Sequence, residues 1–216
     1  MIITSPPYKD KDGYTEQLIR GFAERSYESL NDDSLLFCNF GHLAAFKSRP
    51  FRVAMMLEDA GFNWIDTITW VKNHYRPLAG KRRVNNLSEF VFMMGKGNPT
   101  IDRLSIGVPY QDKSNIKRWK ATGGNDLKCG GNVWNIPYET VRNKKDKLHN
   151  DRFPVELPTR CIKLSAIPKK SLVLDPFVGS GTTALSAKLN GMEFFGTELD
   201  EEHFKTATRR VSESKS

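Results

Sequence analysis

Cysteine is scarce in this chain, and long apolar runs are missing. Cys38, Cys129 and Cys161 are the only three cysteines among 216 residues. They make neither an even disulfide framework nor a Cys-x-x-Cys pair, which excludes a disulfide-stapled secreted scaffold and predicts a reducing, intracellular (cytoplasmic) setting. No apolar stretch approaches the ~20 residues that cross a bilayer, so no membrane is expected as a partner. The opening MIITSPPYKD lacks the basic region, apolar stretch and cleavage signal of a secretory leader. His42, His74, His149 and His203 share no ligand spacing, and no metal site is expected. Internal repeats and low-complexity tracts are absent; only Ser212–Ser216 has the composition of a frayed tail. What is present, 38% hydrophobic and 27% charged residues, suits one globular domain with a real core.

The charge that is present is unevenly placed. The chain carries 33 basic and 25 acidic side chains, a net charge of +8. Residues 1–75 hold 8 basic and 10 acidic groups, residues 76–150 hold 15 and 6, and residues 151–216 hold 10 and 9. The surplus thus belongs to the middle third, in clusters such as Lys81-Arg82-Arg83, Lys117-Arg118-Trp119-Lys120 and Lys144-Lys145-Asp146-Lys147. Any one cluster reads equally well as a solvated surface loop. Segregation of the whole excess into one segment points to a polyanion whose phosphates it neutralises. Arg82, Arg83, Lys117, Arg118, Lys144 and Lys145 are the candidate DNA-phosphate contacts as a group. Trp119 and Trp134 read as packing anchors in preference to wedges, and Met55, Met56, Met93 and Met94 as core.

Strand and helix patterns alternate outside that segment. Met1–Ser5 is a short apolar strand stopped by Pro6-Pro7; Thr15–Leu30 has a helical face at Leu18, Ile19, Phe22 and Ala23. Ser34–Phe40 reads as a buried strand, Pro50–Ala60 as a helix ended by Gly61, and Trp64–Val71 with Phe90–Met94 as a neighbouring strand pair. Ser171–Leu174 is a strand, 175–181 a glycine-rich turn, Thr182–Asn190 a helix and Glu193–Gly196 the next strand. Asp200 caps a final helix to about Glu213. The alternation predicts an α/β fold with a mostly parallel sheet, and 76–150 as loops and short strands grafted on it.

Two segments carry chemistry. Asp175-Pro176-Phe177-Val178-Gly179-Ser180-Gly181-Thr182-Thr183 joins strand to helix, and its glycines let a ligand approach the backbone near the positive helix end. It is not a P-loop, since no lysine follows Gly181, and Ala184 stands where a third glycine would complete the dinucleotide fingerprint. Glu198 follows Gly181 by 17 residues at the end of the next strand, about where a carboxylate meets ribose hydroxyls. A nucleoside cofactor is therefore expected. Thr4-Ser5-Pro6-Pro7-Tyr8 follows a buried strand; its prolines make a rigid ledge offering a hydroxyl, free carbonyls and an aromatic face. Such a ledge suits a planar ligand with an exocyclic amine, which would donate to Ser5 and the Pro6 carbonyl while Tyr8 stacks on the ring. An isolated Pro-Pro-Tyr would read as a plain loop.

Together these segments resemble the amino-methylating DNA methyltransferases, and the order, SPPY first and DPFVGSGTT last, is similar to the permuted beta group. The resemblance extends through Gly131-Asn132-Val133-Trp134-Asn135-Ile136-Pro137 and through His149–Pro158, and so over nearly the whole chain. It implies a Rossmann-like methyltransferase sheet in permuted order, mostly parallel with one antiparallel hairpin strand, and short of one edge strand that the family supplies ahead of SPPY. It implies a single domain over 1–216, with 76–150 as an inserted basic target-recognition region. The cofactor implied is S-adenosylmethionine, lined by Phe153, Pro154, Asp175, Phe177, Gly179, Ser180, Gly181 and Thr182, with Glu198 on its ribose. The catalytic set implied is Ser5, Pro6, Pro7 and Tyr8. The family's adenine enzymes mostly have Asp at the Ser5 position whereas its N4-cytosine enzymes show SPPY, so N4 of cytosine is the expected target. N6 of adenine and a DNA-binding remnant without turnover are the alternatives. Carbon-5 chemistry is disfavoured, because the three cysteines follow Phe, Lys and Arg instead of the Pro typical of that nucleophile. DNA is the expected partner, with a second copy of the chain and a cognate restriction endonuclease as further ones.

Overall fold

The computed structural model describes residues 1–73, 84–114, 126–138 and 152–214. Among these, seven strands form one sheet: β1 (Ile2–Thr4), β2 (Ser34–Gly41), β3 (Asn63–Val71), β4 (Ser88–Lys96), β5 (Val133–Asn135), β6 (Leu172–Asp175) and β7 (Glu193–Gly196). The spatial order is β5-β3-β4-β2-β1-β6-β7. Only β4 runs against the rest, pairing antiparallel with both β2 and β3, while β1, β5, β6 and β7 join their neighbours in parallel. This is the mixed α/β, mostly parallel sheet that the strand–helix alternation predicts.

Two helical layers cover the sheet. α1 (Glu16–Ser29) and α2 (Arg49–Asp59) lie on one face, α3 (Glu156–Leu164) and α4 (Thr182–Leu189) on the other, and α5 (Glu201–Glu213) packs against α4. Strand β2 shows why its sequence is nearly continuous in apolar residues. Leu36, Cys38 and Phe40 enter the core under α1 and α2, while Leu35 and Phe37 enter the opposite core with Val91, Met93 and Trp70. Helix α1 starts where the Thr15 side chain accepts the Leu18 N–H at 3.0 Å, and α5 where Asp200 accepts the His203 N–H at 2.8 Å. Met56, Met93 and Met94 are core as expected, but Met55 is 56% exposed; adjacent helical positions point about 100° apart, so only one of Met55 and Met56 can face the sheet.

Two elements escape the sequence pattern. Strand β5 has three residues, too few for a periodic signal, and is fixed by parallel pairing with Thr69–Val71 and by Trp134, 2% exposed, in the core. Helix α3 follows Phe153-Pro154 and buries Leu157, Cys161, Ile162 and Leu164; its internal proline, Pro158, sits in the first turn, where no helical N–H is lost. Both β4 and β5 arise within 76–150, so that segment supplies sheet strands as well as loops.

The topology gathers chain ends at one edge of the sheet. The carboxyl ends of β1, β2, β3, β6 and β7 meet there with the start of β4, since Gly41 pairs with Glu89 and Val71 with Ser88. In open α/β sheets this edge is where ligands bind. On the α1 side of β6 lies a groove of 590 Å³ lined by Leu18, Phe22, Leu174, Pro176 and Phe177 among others.

Candidate active site

The two chemistry-bearing segments are neighbours because their strands are. β1 pairs with β6, and the Thr4 hydroxyl donates to Asp175 Oδ1 at 2.6 Å in a buried contact. The same oxygen accepts the Phe177 N–H at 3.0 Å. Asp175 is 2% exposed, and burial pushes its pKa up to about 6 against the pull of the Thr4 and Phe177 hydrogen bonds. Asp175 therefore ties the SPPY ledge to the glycine turn through a single oxygen, Oδ1.

The glycine turn has an open side and a packed side. Gly179, at φ 54°, would meet nothing within 4 Å if it carried a Cβ, so a ligand can close on its backbone. Gly181, at φ 80°, is pressed on α5: a Cβ there would stand 2.7 Å from the Ala207 Cβ. Beneath the turn, Arg210 of α5 donates to the Ser180 carbonyl at 2.5 Å, the Ser180 Oγ at 3.0 Å and the Thr182 Oγ1 at 3.3 Å. Ser180 and Thr182 are buried in that clamp, so the turn offers its backbone on the open side. Glu198, at the end of β7, accepts the Gly179 N–H at 2.7 Å and the Asp200 N–H at 2.9 Å. This places a carboxylate beside the open glycine. The open side of Gly179, the Glu198 carboxylate next to it and the groove lined by Pro176 and Phe177 are groups able to meet the hydroxyls and ring of a nucleoside. Phe153 packs on the core shared with Trp134 and Leu157, and buried Pro154 starts the chain into α3, which packs on α4.

The ledge itself is held by a polar cluster. Pro6 is buried, with Ser5, Pro7 and Tyr8 half-buried. The Ser5 hydroxyl donates to the Tyr8 hydroxyl at 2.9 Å. The Tyr8 hydroxyl in turn lies 2.9 Å from Asn39 Oδ1, 3.2 Å from the Asn39 carbonyl and 3.3 Å from Glu89 Oε2. Asn39 donates its Nδ2 to the Phe90 carbonyl at 2.9 Å, and Glu89 is ion-paired with Lys72. Burial, reinforced by the Glu89 carboxylate, raises the Tyr8 pKa well above its ordinary value, so the phenol stays protonated. The ring stacks on Phe40 with centroids 4.3 Å apart. Arg49, 8% exposed, holds the far end: it donates to the Tyr8 carbonyl at 2.9 Å, pairs with Asp10 at 2.9 Å and lies 3.9 Å from the Tyr14 and Phe46 ring centroids.

Asn39, Lys72, Glu89, Arg49 and Arg210 are site residues the sequence reading missed. None belongs to a recognisable motif; a polar residue inside a strand buried on both faces, as with Asn39 in SLLFCNF, is the one signal available. The cysteines take no part. Cys38 and Cys161 are buried, which pushes both thiols up and keeps them protonated, and Cys129 is exposed. Arg82, Arg83, Lys117, Arg118, Lys144, Lys145 and Trp119 lie outside the described residues. Among the described residues no helix is long and apolar enough to cross a membrane.

At this edge the SPPY segment and the glycine-rich turn follow adjacent, paired strands. Residues 1–209 match the N6/N4 family described as DNA methylase, and the chain belongs to that family of S-adenosylmethionine-dependent DNA methyltransferases. Among its relatives, the orphan methyltransferase M.BamHII of Bacillus amyloliquefaciens is 30% identical over 234 residues, covering 98% of this chain and 88% of that protein. The Type II methyltransferase M.Cfr9I of Citrobacter freundii is 30% identical over 162 residues, 75% of this chain, which spans 49% of that relative. The crystal structure of the M1.HpyAVI–SAM complex superposes with a TM-score of 0.64 at 25% identity, covering 97% of this chain and 86% of the other. The cytosine-N4-specific PvuII DNA methyltransferase gives a TM-score of 0.75 at 21% identity over 97% and 78%, a likeness of fold.

Proposed function

We propose that the chain methylates N4 of cytosine in DNA, as a member of the permuted beta class. The observation that carries this is the buried Thr4–Asp175 hydrogen bond: it sets Ser5, where the family's adenine enzymes mostly have Asp, at the same sheet edge as the open glycine turn. S-adenosylmethionine, when bound, supplies a methyl group made electrophilic by its cationic sulfur. The residues that would hold it are Phe177, Gly179, Gly181 and Glu198, with Phe153 and Pro154 at its methionine end and Ser180 and Thr182 through their backbone.

The target cytosine is swivelled out of the duplex onto the ledge. Ser5 Oγ and the Pro6 carbonyl would accept hydrogen bonds from the amine and orient its nitrogen for attack on the methyl carbon; the electron pair of the broken C–S bond would stay on sulfur, and the proton shed by the methylated nitrogen would pass to solvent. Tyr8, backed on one face by Phe40, stacks on the base with the other. Two reactants held in one geometry replace a bimolecular encounter, and fixed acceptors replace mobile water. The basic clusters Arg82-Arg83, Lys117-Arg118 and Lys144-Lys145 hold phosphates, and the loops of 76–150 read the sequence. Relatives named Type II methyltransferases support pairing with a restriction endonuclease.

The test is transfer of labelled methyl from S-adenosylmethionine to genomic DNA, followed by mass spectrometry of the nucleosides. N4-methylcytosine is expected. N6-methyladenine overturns the base assignment, and binding without transfer overturns the catalytic reading. Ser5→Ala and Tyr8→Ala are expected to remove most turnover with cofactor affinity retained.

A further inference from the structure

The ledge serine is an ambiguous group by itself. A hydroxyl can accept from an amine or donate to a carbonyl, and a proton pointing into the pocket would oppose an incoming amine. The cluster around Tyr8 removes that ambiguity. Asn39 is buried within β2 and its Nδ2 is committed to the Phe90 carbonyl, so its Oδ1 faces Tyr8 and can only accept. The Asn39 carbonyl and the Glu89 carboxylate, held by Lys72 from the end of β3, are acceptors too. Three acceptors converge on a phenol that has one proton. That proton is drawn toward β2 and β4, and the phenol oxygen is left to accept from Ser5.

We propose that Asn39 and Glu89 are positioning residues that act through the Tyr8 hydroxyl to turn the Ser5 proton away from the pocket. Ser5 then presents only lone pairs, and the ledge takes an amine and rejects a ring carbonyl in the same position. The inference rests on the reading of Ser5 as the amine's acceptor. It adds the residues that make Ser5 an acceptor and gives the pocket its discrimination of cytosine or adenine from thymine or guanine. The direction of the chain is set by three strands at once, β1 supplying Ser5 and Tyr8 just beyond its end, β2 supplying Asn39 and β4 supplying Glu89.

The test is a double-mutant cycle with genomic DNA and labelled S-adenosylmethionine. Tyr8→Phe keeps the ring and its stack on Phe40 but frees the Ser5 proton; kcat should fall about tenfold, with KM for S-adenosylmethionine and Tm unchanged. Asn39→Leu and Glu89→Leu should each lower kcat in the otherwise native chain. In the Tyr8→Phe background they should lower it little further, because the hydroxyl through which they act is gone. Full additivity of the losses, or a native kcat for Tyr8→Phe, overturns the proposal. Where one leucine variant fails to fold, Tyr8→Phe and the other still decide. Ser5→Ala separates this inference from the reading beneath it. If Ser5→Ala retains full turnover, the amine-acceptor reading falls; if it is inactive while Tyr8→Phe is native, only the positioning chain falls.

Discussion

Asp175→Asn should make the protein more stable at neutral pH, and only there. The native carboxyl is 2% exposed, and burial raises its pKa from the ordinary 3.8 to about 6. The folded protein therefore holds that proton more tightly than the unfolded chain, and stability is lost as pH rises between about 4 and 6. A shift of roughly two units at 1.36 kcal/mol each corresponds to about 3 kcal/mol. Asparagine can keep the oxygen that the Thr4 hydroxyl and the Phe177 N–H share, and its amide can donate to the Thr183 hydroxyl that faces the same carboxyl. Urea or calorimetric unfolding at pH 4 should find variant and native protein alike. At pH 7.5 the variant should gain up to about 3 kcal/mol, or about 6–12 °C in Tm for a chain of this size. A difference that does not change with pH, or a native protein that is the more stable at pH 7.5, would refute the reasoning. It would mean that the two hydrogen bonds stabilise the ionised carboxylate by more than burial opposes it.

Two alanine substitutions in the glycine turn should divide binding from folding. Gly179→Ala faces open space and carries only the positive-φ penalty of about 1 kcal/mol, so Tm should move little while calorimetric titration shows S-adenosylmethionine affinity sharply reduced. Gly181→Ala drives a methyl onto Ala207 and should lower Tm clearly, by about 1–3 kcal/mol of stability. Arg210→Met, which removes three hydrogen bonds from beneath the turn, should weaken cofactor binding and cost about 2 kcal/mol in thermal unfolding. Replacing Lys117 and Arg118 by alanine should weaken binding to DNA of every sequence and flatten the dependence of log K on log salt by about one unit per lost phosphate contact, read by fluorescence anisotropy.

Much of the architecture was legible because local chemistry agrees with the fold. The Asp200 cap, the break at Pro6-Pro7, the continuous apolar run of β2 and the strand–turn–helix grammar around Gly179 each report a local event, and each stands where it was expected. Ser5, Tyr8 and Gly179 were singled out because they belong to contiguous motifs, and Glu198 because of its spacing from Gly181. β5 and α3 were not, since three residues carry no period and a helix with a proline in its first turn reads as a loop. Within the middle segment, Phe90–Met94 read as a strand beside Trp64–Val71 and is β4, paired with β3, whereas β5 is fixed only by its distant partner Thr69–Val71.

The sequence alone determined which groups are available: a hydroxyl and two prolines on a strand end, glycines on another, a carboxylate one strand further on, and a concentrated positive charge. Tertiary structure decided what those groups face. Thr4 meets Asp175 across 171 positions of chain, and Tyr8 meets Asn39 and Glu89 across 31 and 81. Such contacts depend on strand order and on which face each side chain takes, quantities fixed by burying two apolar layers at once. No local pattern encodes them, and they are what turns a hydroxyl into an acceptor.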